Sequence, residues 1–322
     1  MWPELFTIPF LDVPLRSFGL LVGTGFLVAV WFGARLAARY GADPVRDPER
    51  FSGDVAFWIL IGVLGGGRLA YVLLNWSQYA ERPLDALKVW EGGLVMYGGL
   101  ILALVLGGWK ARKLGMPIWQ SADFGLTAGF LGQAIGRVGC LMVGDDFGKP
   151  TDVPWAITFP DPLREGAAFP PELAGVPVHP TQIYMALKAL ALCGIGLWLL
   201  KRKRFHGQVT CVLLMGYAVL RFVIEFFRGD AGARGGIFRE GLAPADVALK
   251  LHGAGVADPS GFVTDVAGYR ALIRSGAEGM QPELLISTSQ MIGIVIFALG
   301  ALGYFLLSRK PQQRLAVRPA AA

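Results

Sequence analysis

Apolar segments of about 20 residues alternate with shorter polar stretches along most of the chain. That length suits an α-helix that crosses a lipid bilayer. The pattern predicts an all-α membrane protein, a bundle of seven transmembrane helices in a single integral-membrane domain over residues 1–322. The predicted spans are residues 17–38, 54–75, 93–113, 119–143, 182–201, 208–228 and 286–308.

Basic residues occur in alternate connections between these segments. Because lysine and arginine are enriched in cytoplasmic loops, this alternation predicts an N-out, C-in orientation. Residues 144–181 and 229–285 then face outward and form a small periplasmic cap, with short amphipathic helices expected at 244–251 and 266–273. The alanine-rich tail, residues 311–322, is predicted to be disordered. The basic clusters are Arg35, Arg39, Arg46, Arg50, Lys110, Arg112, Lys113, Lys201, Arg202, Lys203, Arg204, Arg309, Lys310, Arg314 and Arg318.

Composition excludes an ordinary soluble protein. Hydrophobic residues make up 54% of the 322 residues and charged residues only 17%, whereas soluble domains average about 25% charged residues. The net charge of +6 does not indicate nucleic acid, because the basic residues lie beside apolar segments. The cysteines and histidines show no disulfide or metal-site spacing, so we expect no metal and no cofactor. These residues are Cys140, Cys193, Cys211, His179, His206 and His252.

Ionisable residues inside the predicted spans are the strongest functional signal. Such groups are costly in a membrane and usually face the protein interior, where they pair with one another. On the sixth span, Tyr217, Arg221, Glu225 and Arg228 are spaced four, four and three residues apart, so they form one stripe on a helix. One interpretation is a structural ion pair between Arg221 and Glu225. The other is a phosphate-binding site, because the planar fork of arginine suits a phosphate.

A second arginine lies at the outer end of the fourth span. Arg137 opens a run that continues with glycines and two acids as far as Gly148. An arginine, a flexible backbone and carboxylates at a membrane surface suggest a site for a lipid headgroup. Arg68 and Asp123 are further ionisable residues inside predicted spans.

Two weaker motifs lie on the same predicted outer side. Tyr97, Gly98 and Gly99 open the third span, and the glycine pair would allow close approach of backbone or ligand. His179 and Thr181 precede the fifth span. Thr181 as a helix cap is the favoured interpretation there, and His179 as a base that titrates near neutral pH is the alternative.

Together these blocks resemble the prolipoprotein diacylglyceryl transferase family. The family's signature run reads Gly-Arg-x-Gly-Asn-Phe-x-Asn-x-Glu-x-x-Gly, and residues 136–148 match its glycines and its arginine, with Asp145 where Glu is usual. The stripe at 217–228, the block at 179–184, Arg68 and Asp123 also fit, so the resemblance extends in order over nearly the whole chain.

The resemblance implies a transferase of lipoprotein biosynthesis. The family moves the diacylglyceryl group of phosphatidylglycerol to the lipobox cysteine thiol of a prolipoprotein signal peptide and releases glycerol phosphate. It implies a multi-pass protein of the bacterial inner membrane that works among membrane lipids, has its active site toward the periplasm, and does not bind nucleic acid. We expect a monomer.

The resemblance also implies roles for individual residues. Arg137 and Arg221 would hold the phosphate and stabilise the charge that develops as it departs, while Glu225 would hold Arg221 in place. Asp145 would position the loop or the headgroup, and Tyr97 completes the catalytic set. The residues expected to bind phosphatidylglycerol are Arg137, Arg221, Gly98, Gly99, Gly139, Cys140, Tyr217, Arg228 and His179.

Several positions depart from the family pattern. Tyr97 stands where the family has the histidine that is its favoured base, and a phenol with a pKa of about 10 is a poor base at neutral pH. Cys140 and Val143 replace two asparagines, and Met185 stands where glutamate is common. Two alternatives therefore stay open. One is a paralogous transferase with another acceptor or donor, in which Cys140 could act as a transient nucleophile, and the other is a non-catalytic phospholipid-binding protein.

Overall fold

A computed structural model shows a mostly helical protein. The structure describes residues 1–8, 13–80, 83–87, 93–230, 235–275, 277, 280 and 282–310. The tail that was predicted to be disordered lies outside the described residues. The helices are α1 (Ser17–Tyr40), α2 (Asp47–Leu74, with a π-helical turn at Arg50–Val55), α3 (Met96–Lys113), α4 (Ile118–Val143), α5 (Thr181–Leu200), α6 (Gln208–Glu225), α7 (Pro244–Gly253), α8 (Val266–Arg274) and α9 (Thr288–Arg309).

Six of these helices are long and apolar enough to cross a membrane: α1, α2, α4, α5, α6 and α9. The predicted class, an all-α membrane protein with several spans, is therefore confirmed. The third predicted span forms α3, whose 18 residues end in a turn that contains Lys110, Arg112 and Lys113. These three basic residues make α3 less apolar than the six helices named above. Such charges are costly within hydrocarbon.

Short strands and helices connect these long helices. The strands pair antiparallel in twos: β1 (Glu4–Ile8) with β2 (Val13–Arg16), β3 (Ile157–Thr158) with β4 (Pro177–Val178), and β5 (Gly236–Phe238) with β6 (Leu284–Ser287). One-turn helices occur at Trp76–Tyr79, Pro83–Leu87 and Pro171–Leu173. The two amphipathic stretches predicted within residues 229–285 form α7 and α8. They enclose a small apolar core of Val247, Leu251, Val256, Ala257 and Tyr269.

The chain divides into two compact units. The first contains Met1–Phe26, Phe130–Ile195 and Cys211–Leu306, and the second contains Leu27–Gly129, Gly196–Thr210 and Leu307–Ala322. The first unit therefore holds the C-terminal end of α4, the start of α5, the end of α6 and the start of α9. Most of the predicted site residues belong to these helix ends.

Candidate functional site

Asp146 is the centre of a buried charge cluster in the first unit. Its carboxylate accepts a hydrogen bond from Arg137 Nη1 through Oδ2 and another from Arg228 Nη2, at 2.6 Å, through Oδ1. Asp146 is only 5% exposed and Arg228 only 1%. One carboxylate thus joins the arginine at the end of α4 to the arginine just beyond α6.

Arg228 keeps donor capacity after these bonds. The Asp230 carboxylate accepts hydrogen bonds from Arg228 Nε, at 2.8 Å, and from Arg228 Nη2. Within the described part of the chain, however, Nη1 is buried and has no hydrogen-bond acceptor. A buried donor without an acceptor is costly, so this nitrogen is available to an anionic ligand.

The structure contains the ion pair between Arg221 and Glu225 that one interpretation of the sequence predicted. Arg221 Nη1 donates to Glu225 Oε2, and Arg221 Nη2 donates to Ser289 Oγ at 3.0 Å. Glu225 Oε2 also lies 3.9 Å from Arg228 Nε. Tyr217, one turn before Arg221, packs on Phe130 with ring centroids 6.1 Å apart. The pairing of Arg221 leaves the phosphate-binding interpretation open, because Arg221 uses its two terminal nitrogens once each and each carries two N–H donors.

The first turn of α5 holds the loop that carries Asp146. Thr181 Oγ1 donates to the carbonyl of Asp146 at 2.5 Å, and Gln182 Nε2 donates to the carbonyl of Asp145 at 2.7 Å. Asp146 has a φ of 57°, a left-handed conformation that aspartate tolerates better than most residues. The prediction that Thr181 caps α5 is wrong, because its buried hydroxyl bonds the neighbouring loop and not the amides of its own helix.

Asp145 and Cys140 lie at the edge of this cluster. Asp145 Oδ1 accepts a hydrogen bond from the Asp146 amide at 2.7 Å, so its carboxylate supports the loop. Cys140 Sγ is buried, 3.7 Å from Arg137 Nη1 and 3.9 Å from Asp146 Oδ2. The ligand atoms of Cys140, Asp145 and Asp146 lie within 4.8 Å of one another, as metal ligands would. The two guanidiniums already bound to Asp146 supply the positive charge there, which disfavours a metal cation.

His179 belongs to a neighbouring aromatic group in the first unit. Its Nδ1 lies 3.3 Å from Tyr184 Oη, which also accepts a hydrogen bond from Trp155 Nε1 at 2.7 Å. The His179 ring packs edge-on against Phe227 with centroids 5.0 Å apart. Partial burial, aided by the positive charge of Lys149, lowers the pKa of His179 below its usual value. The imidazole is therefore neutral at neutral pH, as a proton acceptor must be.

Three of the predicted glycines serve close helix packing. In the second unit, a Cβ on Gly98 would overlap the carbonyl of Gly66 on α2, and one on Gly99 would lie 2.7 Å from the carbonyl of Val63. In the first unit, a Cβ on Gly139 would lie 3.4 Å from Leu21 and Phe18 of α1. Tyr97, in the first turn of α3, is 39% exposed.

Arg68 and Asp123 are structural residues of the second unit. Arg68 donates to the carbonyls of Asp85 at 2.7 Å and Ala86 at 2.8 Å, and so holds the turn that precedes α3. Asp123, fully buried on α4, pairs with Lys203 Nζ at 2.9 Å. It also accepts hydrogen bonds from the Gly207 amide at 3.0 Å and from the amide and hydroxyl of Thr210, each at 2.9 Å.

Sequence reasoning missed three polar residues of the site. Asp146 was passed over for Asp145 because the family frame aligns Asp145 with the usual acid. Asp230 lies beyond the predicted end of the sixth span. Lys188 could have been found by the criterion that identified Arg221, because it is also an ionisable residue in the middle of an apolar segment. Its Nζ lies 4.0 Å from the centre of the Tyr217 ring.

The fold and the site together define a class: a multi-pass helical membrane protein with a buried, arginine-rich cluster of paired charges. Comparison with known proteins gives the family. Residues 3–251 match the family model described as prolipoprotein diacylglyceryl transferase. The chain belongs to this family.

Curated relatives agree with that assignment. A Synechococcus elongatus protein is 37% identical over 67% of this chain and 74% of its own length. A Vibrio vulnificus protein is 35% identical over 73% and 82%, and a Geobacter sulfurreducens protein is 36% identical over 70% and 82%. Each of the three is named phosphatidylglycerol–prolipoprotein diacylglyceryl transferase.

Proposed function

We propose that the protein transfers the diacylglyceryl group of phosphatidylglycerol to the lipobox cysteine of a prolipoprotein. In this reaction a carbon–sulfur bond forms at the glyceryl carbon, the bond from that carbon to the phosphate oxygen breaks, and glycerol phosphate leaves. The observation that carries the proposal is the buried Arg137–Asp146–Arg228 cluster at the helix ends that the family signature occupies.

The arginines meet the main electrostatic demand of this reaction. Negative charge grows on the phosphate as it departs, and preorganised donors in a dry site stabilise such charge strongly. Arg137 and Arg221 are the proposed phosphate ligands, and the buried Nη1 of Arg228 is a further donor. Glu225 and Asp146 hold these guanidiniums in place, and Asp145 supports the loop between α4 and α5.

The reaction also requires a proton acceptor, because the thiolate is the nucleophile. His179 fits this role better than Tyr97. The imidazole is neutral at neutral pH because its pKa is lowered, and its contact with Tyr184 Oη orients the ring. Lys149 and Tyr184 are the titratable groups beside it.

The proposed topology places this site toward the substrates. We assign α3 as a seventh span, with its basic last turn at the cytoplasmic surface, and keep the N-out, C-in orientation. The ends of α4 and α6 and the start of α5 then face the periplasm across the inner membrane, where a translocated prolipoprotein would arrive. The loops at 144–181 and 229–285 would form the cap on that side.

A reconstitution assay tests the function. The purified protein is incubated with labelled phosphatidylglycerol and a lipobox peptide, and both lipid transfer and glycerol phosphate release are measured. We expect both products in equal amounts. Bound phospholipid without either product would support a non-catalytic lipid-binding protein. Headgroup release without labelled peptide would indicate another acceptor.

Complementation gives an independent test in the cell. The chain is expressed in a bacterial strain depleted of its own diacylglyceryl transferase, and growth and lipoprotein modification are followed. Restored growth is the expected result. A membrane-inserted protein that restores neither would contradict the proposal.

A further inference from the structure

A lysine is buried in the first unit without a carboxylate partner. Lys188 lies on α5 and is only 4% exposed. Its Nζ contacts Met185 Sδ at 3.6 Å and the face of the Tyr217 ring at 4.0 Å. Among the described residues, none places a carboxylate within ion-pair distance of this nitrogen. Desolvating an ammonium without a counter-charge is costly, and an anion bound beside Lys188 would remove that cost.

Lys188 occupies the face of α5 that holds the arginine cluster. Thr181 and Gln182 bond the Asp145–Asp146 loop from the first turn of the helix. Met185 and Lys188 follow at helical spacing on the same buried side. Seven residues separate Lys188 from Thr181, which is about 10 Å along a helix. Lys188 therefore lies roughly two turns further along α5 than the residues that hold the loop, on the side of the helix that faces the site.

Four charges of the cluster act most strongly on Lys188. Those of Arg137, Arg221 and Arg228 repel its ammonium, and that of Asp146 attracts it. The carboxylate of Asp146 is already bonded to Arg137 and Arg228. An anion bound among the three arginines would change this balance, because it would give the lysine an opposite charge and an acceptor at once.

A structural lysine in the same chain shows the difference. In the second unit, Lys203 has a fully buried carboxylate, Asp123, 2.9 Å from its Nζ. Among the described residues, Lys188 Nζ contacts a thioether and an aromatic face. A cation over an aromatic ring is stabilised modestly, and its N–H donors still lack strong acceptors.

We propose that Lys188 is a ligand of the phosphate group in this site, beside Arg137 and Arg221. The inference rests on the proposed function and adds a donor on α5 to those on α4 and α6. The ligand chemistry is a phosphate anion, carried either by the phospholipid donor or by the glycerol phosphate that leaves. A compact ammonium complements the planar arginine forks because it binds a phosphate oxygen as a point charge.

Steady-state kinetics with two substitutions at Lys188 tests the proposal. K188M keeps an unbranched side chain of similar length without charge, and K188R keeps the charge. K201M is the matched control, since it removes an exposed lysine just beyond the same helix. The measurements are KM and kcat for phosphatidylglycerol, the inhibition constant of glycerol phosphate, and thermal stability in detergent.

We expect K188M to raise the KM for phosphatidylglycerol about tenfold or more, the usual effect of losing a charge-assisted hydrogen bond. The inhibition constant of glycerol phosphate should rise in parallel if Lys188 holds the phosphate in substrate and product alike. A rise in KM alone assigns the contact to the intact lipid. K188R should recover part of the loss, and K201M should resemble the unchanged protein.

Two results would overturn the inference. One is a KM and an inhibition constant that stay unchanged in K188M. The other is a loss of thermal stability in K188M with normal phosphate affinity, which would make Lys188 a packing residue. If the unsubstituted protein transfers no lipid, the proposed function fails, and the inference is then tested by titrating unsubstituted and K188M protein with phosphatidylglycerol in nanodiscs. Equal affinities there would refute it.

Discussion

Two buried carboxylates in this protein, those of Asp123 and Asp146, differ in how completely the polar groups around them are paired. In the second unit, Asp123 receives four donors: Lys203, the Gly207 amide, and the amide and hydroxyl of Thr210. In the first unit, the charges around Asp146 include Arg137, Arg228 and the nearby Lys188, and a nitrogen of Arg228 has no acceptor among the described residues.

The difference is the one expected between a structural site and a binding site. A buried carboxylate whose acceptor positions are all taken, like that of Asp123, holds two segments together and leaves nothing for a ligand. A cluster with unmatched donors keeps binding capacity at a cost in stability, which proteins accept at functional sites. The comparison therefore predicts that substitutions in the first unit reduce activity and that substitutions around Asp123 reduce stability.

The largest effect is expected for Arg221→Ala. Loss of a donor that stabilises developing charge costs about 100-fold or more in rate, so lipid transfer to the lipobox peptide should fall to background. The matched control is Arg239→Ala, which removes an exposed arginine paired with Glu283 and should keep activity. Transfer that persists in the Arg221 variant would remove this residue from the phosphate site.

Asp146→Asn should follow in size. Removing one member of a buried charged pair costs at least about 2 kcal/mol, or roughly 30-fold in activity, because Arg137 and Arg228 lose the carboxylate they share. Asp145→Asn should have a smaller effect, since its carboxylate contacts the Asp146 amide. Measuring kcat/KM for both variants decides which acid matters. A larger loss at Asp145 would contradict the geometry.

Asp123→Asn should affect stability more than catalysis. Breaking a buried ion pair typically costs about 3 kcal/mol or more, so thermal unfolding in detergent should occur at a lower temperature. Protein that remains folded should keep its specific activity, because Asp123 bonds only the second unit's own residues in the contacts described. A fall in specific activity with unchanged unfolding would break the comparison between the two groups.

The last prediction concerns pH, where the change in activity is gradual. Because the pKa of His179 is lowered, the imidazole is a neutral base at neutral pH and becomes protonated only below the usual value of about 6.5. Activity should therefore decline as the pH falls through this lowered pKa. His179→Gln should lower kcat and remove that acidic decline in a pH–rate profile. A decline that survives the substitution would assign it to another group.

Hydropathy predicted the long helices well, but it did not predict which polar side chains pair with one another. The fourth span was expected at 119–143 and forms Ile118–Val143, and the sixth was expected at 208–228 and ends at Glu225. Apolar length is a strong signal because the bilayer sets it. The sequence also identified Arg137, Arg221, Glu225 and Arg228, since charged residues within apolar segments stand out.

Pairing within the cluster required the fold. Asp145 and Asp146 are adjacent and chemically identical, and the family frame favoured Asp145. The left-handed backbone at Asp146, together with bonds from Thr181 and Gln182, turns the second carboxylate toward the arginines. The Thr181 hydroxyl, which was expected to cap α5, makes one of these bonds. Local sequence patterns do not reveal side-chain partners that are distant in the sequence.

By itself the sequence determined the membrane class and the positions of the long helices, and it predicted Arg137, Arg221 and Arg228 as site residues, because a bilayer excludes charge and fixes helix length. Only the tertiary structure decided which buried charges are matched and which are not. That distinction depends on distances of a few ångströms between segments far apart in the chain. It separates the fully bonded carboxylate of Asp123 from Lys188 and Arg228, whose donors we propose as ligands of a phosphate.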